Sequence, residues 1–385
     1  MSEFIIAIIF YSLLGLIIYK NRKKFEWIQG IILAYRTKKP LKWMDKLKPN
    51  NPFWKVYSTI CIPLCFAFLP LITYSLGEQA INILLGLNKN AGVALAIPGV
   101  RIPGSPIYIP LLYGITAIAI LAFVHEMGHG IIGKSEKIKL KNAGFGMFLI
   151  FPLFFVEPDE ESMIKASKLS RLRMLSAGTG TNLTLAFTLT LIIGYAFIPF
   201  IEANSELLGV KINGLMNDYP AIQANITSNS YITRLNGETV TNLTVFRNLL
   251  NSHVPGEVIN LTTSEGEYEL TLAINPTNKS LPYLGVYLND DYDYSVEAKL
   301  KYGDSLLGFI NIILELFNWV AFLNLSIGVM NLLPIWGLDG SRMLYDLLSY
   351  IMKEKKARAI VSIISSACIG FLIINIAPLF TNIFS

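Results

Sequence analysis

Residues 111–132 read LLYGITAIAILAFVHEMGHGII, and His125, Glu126 and His129 stand in the last third of this run. About 20 apolar residues suffice for a helix to cross the hydrocarbon core of a bilayer, so the run predicts a membrane span. Two imidazoles four residues apart share one helix face and can reach a single zinc ion, with Glu126 beside any water the ion holds. An ionisable residue at that depth costs about 2.5–3.5 kcal/mol on insertion scales, so such a cluster needs a compensating partner. A divalent cation is one. The third histidine, His253, lies in a polar loop and reads as a surface residue.

The rest of the chain agrees with a bilayer. Hydrophobic residues make up 53% and charged residues 15%, and mean hydropathy is +0.49. A soluble domain carries nearer a quarter charged residues, so a disordered protein, a cytosolic enzyme and most nucleic-acid binders are excluded. Cys61, Cys65 and Cys368 lie inside apolar runs and suggest neither disulfides nor a thiolate metal site.

Five further runs read as spans: Phe4–Tyr19, Val56–Leu76, Met174–Ile201, Leu306–Ile327 and Ala359–Phe380. The basic clusters Lys20–Lys48, Lys134–Lys141, Lys165–Arg173 and Lys353–Arg358 all fall on one side when six spans alternate. That side is cytoplasmic by the positive-inside rule, which places both termini outside. Phe145–Val156 is too short to span and contains Pro152, so it predicts a re-entrant hairpin. Ala94–Pro110 carries four prolines and predicts an extended segment at the outer face.

Between spans four and five the composition turns polar and β-rich. Turn pairs at Asn236-Gly237 and Pro255-Gly256 punctuate short alternating runs, with a helical stretch around Phe246–Leu250. Together with Asp218-Tyr219-Pro220-Ala221, these marks resemble a PDZ domain, although Asn229-Ser230 stands where Gly-Asp is usual. The expected fold is a membrane all-α protein of about six transmembrane helices with a short re-entrant β-hairpin. A small α/β PDZ-like soluble domain is inserted between spans four and five. The expected segments are a two-span N-terminal addition (1–76), a first membrane half (77–204), the insert (205–289) and a second membrane half (290–385).

Two histidines do not complete a catalytic zinc site, which usually takes three protein ligands. Glu157, Asp159, Glu160 and Glu161 follow the hairpin, and Asp339 sits where proline and glycine break an apolar helix in Asn331-Leu332-Leu333-Pro334-Ile335-Trp336-Gly337-Leu338-Asp339-Gly340. Residue spacing leaves these candidates open. The pairing of His125-Glu126-Met127-Gly128-His129 with Leu338-Asp339-Gly340 resembles the site-2 proteases, intramembrane zinc metalloproteases. Ser176-Ala177-Gly178-Thr179-Gly180-Thr181-Asn182 is similar to that family's small-residue segment, with Thr179 where proline is frequent.

The resemblance covers about Pro98–Tyr345 and implies zinc held by His125, His129 and Asp339, with Glu126 as general base. It implies Asn182 as a donor to the oxyanion. An unwound substrate would lie along the hairpin, at Gly144, Phe145 and Gly146. The implied partners are single-span or membrane-anchored proteins, including ones already cut by another protease, and the lipid bilayer; no nucleic acid is implied. The implied place is the cell membrane, with the PDZ-like insert outside and the zinc site towards the cytoplasm. A different membrane zincin using Glu157, and a non-enzymatic zinc-binding scaffold or transporter, are the competing readings.

Overall fold

The computed structural model describes residues 12–384 except 14, 17, 29–31, 89, 95, 96, 101, 103, 104, 106, 149, 150, 217 and 277. Most of the expected span Phe4–Tyr19 lies outside the described residues. The main helices in chain order are α1 (Lys39–Lys46), α2 (Pro52–Leu84), α3 (Leu111–Ser135), α4 (Lys168–Ile192), α5 (Leu243–Asn251), α6 (Asp304–Met330), α7 (Asp339–Ile351) and α8 (Glu354–Phe384). Among the described residues, five helices are long and apolar enough to cross a bilayer: α2, α3, Lys168–Asn204, α6 and α8 through Phe380. Two compact units form, one from Met1–Gly194 with Ile312–Ser385 and one from Tyr195–Asn311.

Small residues set the helix spacing in the first unit. A Cβ on Gly128 of α3 would stand 2.5 Å from the Ala177 carbonyl oxygen of α4, so only glycine permits that approach. Thr181 Oγ1 donates to the Val124 carbonyl across the same interface at 3.0 Å. On the other side of α4, Gly180 faces Cys61 of α2, and Tyr57 and Thr184 share a hydroxyl hydrogen bond of 2.9 Å. The three cysteines are buried and unpaired, as expected for apolar packing. Arg171 Nε of α4 lies 3.0 Å from both carboxylate oxygens of Asp346, a two-point bond that holds α7. Asn375 of α8 donates to the Leu76 carbonyl of α2 at 2.9 Å.

The predicted hairpin is present as β3 (Leu140–Phe148) and β4 (Phe151–Pro158). It is larger than expected. The segment read as a basic loop adds β1 (Glu26–Ile28) and β2 (Ile32–Thr37), giving an antiparallel sheet in the order β1-β2-β3-β4. Tyr35 packs against Phe145 with ring centroids 5.2 Å apart, and Arg36 Nε reaches Glu157 at 3.3 Å. The second contact pairs one of the loop's cations. Described residues of 91–110 form neither helix nor strand, in keeping with their prolines.

In the second unit β5 (Ser205–Leu215), β6 (Tyr231–Leu235), β7 (Glu238–Thr239), β8 (Val258–Thr263), β9 (Glu267–Thr271), β10 (Ala273–Ile274), β11 (Pro282–Tyr283) and β12 (Val286–Tyr294) follow one another. The main sheet runs β12-β5-β6-β8-β9, with β7 paired to β6. Alternation turns Val210 and Ile212, and Ile259 and Leu261, inward, and a register shift after Ile232 lets Leu235 join them in the core with Phe246 of α5. Asn236 and Gly237 both have positive φ, 48° and 83°, the twist that a two-residue hairpin requires. Strand β12 continues past the expected boundary at Asn289.

Candidate metal centre

Helical periodicity puts His125 and His129 on one face of α3, and α7 begins at Asp339, on the far side of the broken segment 331–338. His125 Nε2 and His129 Nε2 are 3.1 Å apart. Asp339 Oδ2 lies 3.1 Å from the second and 3.2 Å from the first. These side chains are 11%, 12% and 8% exposed, in the order His125, His129, Asp339. Among the described residues this is the group of His, Cys, Asp and Glu side chains placed to hold a metal ion.

The triangle can be tested against zinc. Nitrogen and oxygen ligands at about 2.0–2.1 Å in a tetrahedron stand about 3.3–3.4 Å from one another. The observed edges fall within a few tenths of an ångström of that. The ring nitrogens facing away are also engaged: His129 Nδ1 is 2.8 Å from the Met174 carbonyl, and His125 Nδ1 is 3.2 Å from the Asn182 carboxamide. Such outer contacts orient a ligating imidazole. The donor set fits zinc, with three protein ligands and room for a fourth.

The competing acidic residues are occupied elsewhere. Glu157 meets Arg36 and accepts from Asn142, Asp159 caps the helix Glu160–Lys165 by accepting from Ser162 N at 2.9 Å, and Glu161 pairs with Lys165. Asp339, the third ligand that the resemblance implied, is the carboxylate that meets the two histidines, and the competing Glu157 stands with Arg36 and Asn142 instead. Glu126 Oε2 accepts from the Val156 amide of β4 at 2.8 Å, which brings the hairpin to the site. A cavity of about 410 Å³ opens there, lined by His125, Glu126, His129, Phe154, Val156 and Asp339, among others.

Two expected placements change. Gly144, Phe145 and Gly146 lie in β3, whose edges are already paired with β2 and β4, so they offer no free strand edge. Their glycines have another cause: a Cβ on Gly144 or Gly146 would stand 2.1 or 2.3 Å from a carbonyl oxygen of β2. Asn182, 1% exposed, meets His125 on Nδ1, the nitrogen turned away from the triangle. The carboxamide on the metal side is Asn331, whose Nδ2 is 3.0 Å from His125 Nε2 and 3.2 Å from Asp339 Oδ2. Its sequence signal was position alone, eight residues before the aspartate in the same broken helix.

Two buried histidines on the apolar helix α3 and a buried carboxylate at the start of α7, with a glutamate beside them, match the donor pattern of a membrane metalloprotease. The chain belongs to peptidase family M50, the site-2 protease family, whose sequence profile matches residues 113–375. An uncharacterised protein of Methanocaldococcus jannaschii is 29% identical over 358 residues, which cover 92% of this chain and 86% of that one. RasP, a regulator of sigma-W protease from Bacillus subtilis, is 23% identical over 234 residues, 49% of this chain and 53% of RasP. The PDZ domain of an SdrC-like protein from Listeria monocytogenes aligns with 21% of this chain at 19% identity and a TM-score of 0.19, covering 86% of that domain.

Proposed function

We propose that this chain is a zinc-dependent endopeptidase that cuts peptide bonds within or beside the membrane spans of single-span or membrane-anchored proteins. The observation that carries this reading is the His125–His129–Asp339 triangle beside a cavity that also holds Glu126. Zinc held by these three residues supplies Lewis acidity and a water whose pKa is lowered towards ~7. Glu126 takes the proton as water attacks the scissile carbonyl and delivers it to the leaving amine. Asn331 Nδ2, on the metal side of both His125 and Asp339, is placed to donate to the oxygen that gains charge.

A transmembrane helix hides its peptide groups in its own hydrogen bonds, so a substrate must unwind and find replacements. Strand β4 is the edge strand of the four-stranded sheet that lies beside the metal centre. The Val156 amide points to Glu126, hence away from β3, and residues two apart share that direction. Phe154 and Pro152 therefore face outward as well. Pro152 stands where no ladder donor is lost. An extended substrate adds to this edge through the Phe154 and Val156 backbone. Its carbonyl takes the Val156 amide and frees Glu126 for proton transfer. Single-span substrates supply the segment, and the one-sided basic clusters support a cleavage site towards the cytoplasm with the PDZ-like unit outside.

The test is incubation of the detergent-purified chain with a panel of labelled single-span proteins, with and without a zinc chelator. Chelator-sensitive cleavage within the apolar segment is expected. Absence of cleavage across the panel by the zinc-loaded chain would overturn the reading.

A further inference from the structure

We infer that Asn182 is a positioning residue for His125: its carboxamide oxygen accepts from His125 Nδ1–H and holds the Nε2 lone pair on the metal. The inference rests on the metal centre proposed above and assigns Asn182 a different role from an oxyanion donor.

The argument begins with the other histidine. His129 Nδ1 lies 2.8 Å from the Met174 carbonyl oxygen, and a carbonyl can only accept. Nδ1 of His129 therefore carries the proton, and its Nε2, in the triangle, presents a lone pair. His125 has the same task, since its Nε2 is the second corner. A neutral imidazole has one proton, so Nδ1 must hold it and needs an acceptor. The group beside it is the Asn182 carboxamide, 3.2 Å away, with both residues buried. In this orientation the amide nitrogen faces the ring and Oδ1 has no hydrogen-bond partner. Carboxamide nitrogen and oxygen exchange places by a half-turn, and the assignment follows from the hydrogen bonds. With oxygen towards the ring, Nδ1–H and Oδ1 satisfy each other.

The surroundings fix the side chain on that nitrogen. A Cβ on Gly328 of α6 would stand 3.1 Å from Asn182 Cβ, and Thr179 Oγ1 donates to the Gly328 carbonyl at 3.3 Å, so α6 packs directly against this part of α4. Asn182 reaches the far side of the imidazole from the triangle. A group there acts on the reaction through His125.

The positioning role and the oxyanion role predict opposite results. The full-length chain in detergent is titrated with zinc against a chromophoric chelator, for wild type, Asn182→Ala, Asn182→Leu and Asn182→Asp. Loss of an outer-shell partner typically costs 10–100-fold in metal affinity, so the Ala and Leu variants should show a zinc Kd raised by that factor. Asn182→Asp keeps an acceptor and should stay within a few-fold of wild type or bind more tightly. Thermal unfolding of the zinc-free chains separates lost folding from lost affinity, and the Asp variant tests the acceptor if Ala and Leu fail to fold. Wild-type affinity in Asn182→Ala with lost cleavage would overturn the positioning role in favour of the oxyanion donor. Equal weakening in Ala and Asp would overturn it in favour of packing. If the wild-type chain binds no zinc, the metal centre itself falls, and this role with it.

Discussion

Gly178→Ala is the sharpest available probe of the centre, because the structure gives the size of the disturbance. A Cβ on Gly178 would sit 2.4 Å from His129 Nε2, 2.6 Å from His129 Cε1 and 2.8 Å from His125 Cε1. Ordinary contact begins near 3.4 Å, so something must give by about 1 Å. The helices resist, since Gly128 and Thr181 already fix the α3–α4 spacing. The rings resist less, being held by one hydrogen bond each on their outer nitrogens.

The triangle therefore takes most of the movement, and its 3.1 Å histidine edge opens well beyond the ~3.3 Å that tetrahedral zinc accepts. A zinc affinity lowered at least 100-fold is expected, more than loss of an outer partner alone would cause. Cleavage should fall at least ~10²-fold, the usual result of a 1 Å misplacement. Overpacking should also cost about 1–3 kcal/mol of stability. Zinc titration against a chelator reads the first and thermal unfolding without zinc the last. Gly370→Ala in α8, with nothing within 4 Å of the added carbon, is the matched control and should bind zinc normally. A Gly178→Ala chain that takes zinc with wild-type affinity would refute the geometry.

Glu126→Gln should retain zinc while cleavage drops by about 10²–10⁴-fold, measured on a single-span substrate; retained turnover would favour a scaffold or transporter. Val156→Pro removes an amide that lies outside the β3–β4 ladder, so zinc binding should persist while the substrate KM rises up to about 10-fold, the worth of a neutral amide–carbonyl hydrogen bond. An unchanged KM would remove β4 from substrate alignment. In the second unit, hydrogen bonding from Tyr231 and the nearby Lys211 ammonium hold the Asp291 carboxyl below its ordinary value. A depressed carboxylate contributes stability above its unfolded pKa of ~3.9 and loses it as pH falls through the lower folded value. Hydrogen exchange of β5, β6 and β12 in the full chain should show protection falling in that acidic window. The same curve in Asp291→Asn should be flatter there, and an identical acid profile would refute the assignment.

How far the sequence could be read follows from which interactions are local. The shared face of His125 and His129 is a consequence of helical period, and the apolar runs measure themselves against a bilayer. Asp339 needed the family resemblance, because residue spacing cannot bring together side chains 210 positions apart. The strands of 26–37 were hidden by charge. Arg36 lay in a run read as a basic loop, and only the fold reveals that it pairs with Glu26. Asn182 and Asn331 could be noticed by type, but the side of the imidazole each occupies depends on how α4 and α6 rotate against α3.

That dependence explains why the site is surrounded by features with no chemistry of their own. The ligands arrive on two separately fixed helices, the histidines on α3 and the aspartate on α7. Gly128 and Gly178 let α3 and α4 approach until the histidines sit against α4 backbone. Asp339 opens α7, and a Cβ on the next residue, Gly340, would stand 1.8 Å from the Leu332 carbonyl oxygen; Gly340 N donates to the Asn331 carbonyl at 3.1 Å. One glycine thus ties the aspartate to the asparagine that shares its site. Arg171 then secures α7 to α4 through Asp346, two turns beyond Asp339 on the same helix face. Breaking a buried pair of that kind usually costs about 3–5 kcal/mol. Here the loss should also be felt as metal affinity, because the helix released is the one that carries the third ligand. Arg171→Ala should therefore weaken zinc binding although it touches no ligand, and the exchange Arg171→Asp with Asp346→Arg should recover part of it. Full zinc affinity in Arg171→Ala would show that segment 331–338 alone sets the aspartate, leaving the α4–α7 pair a purely structural bond.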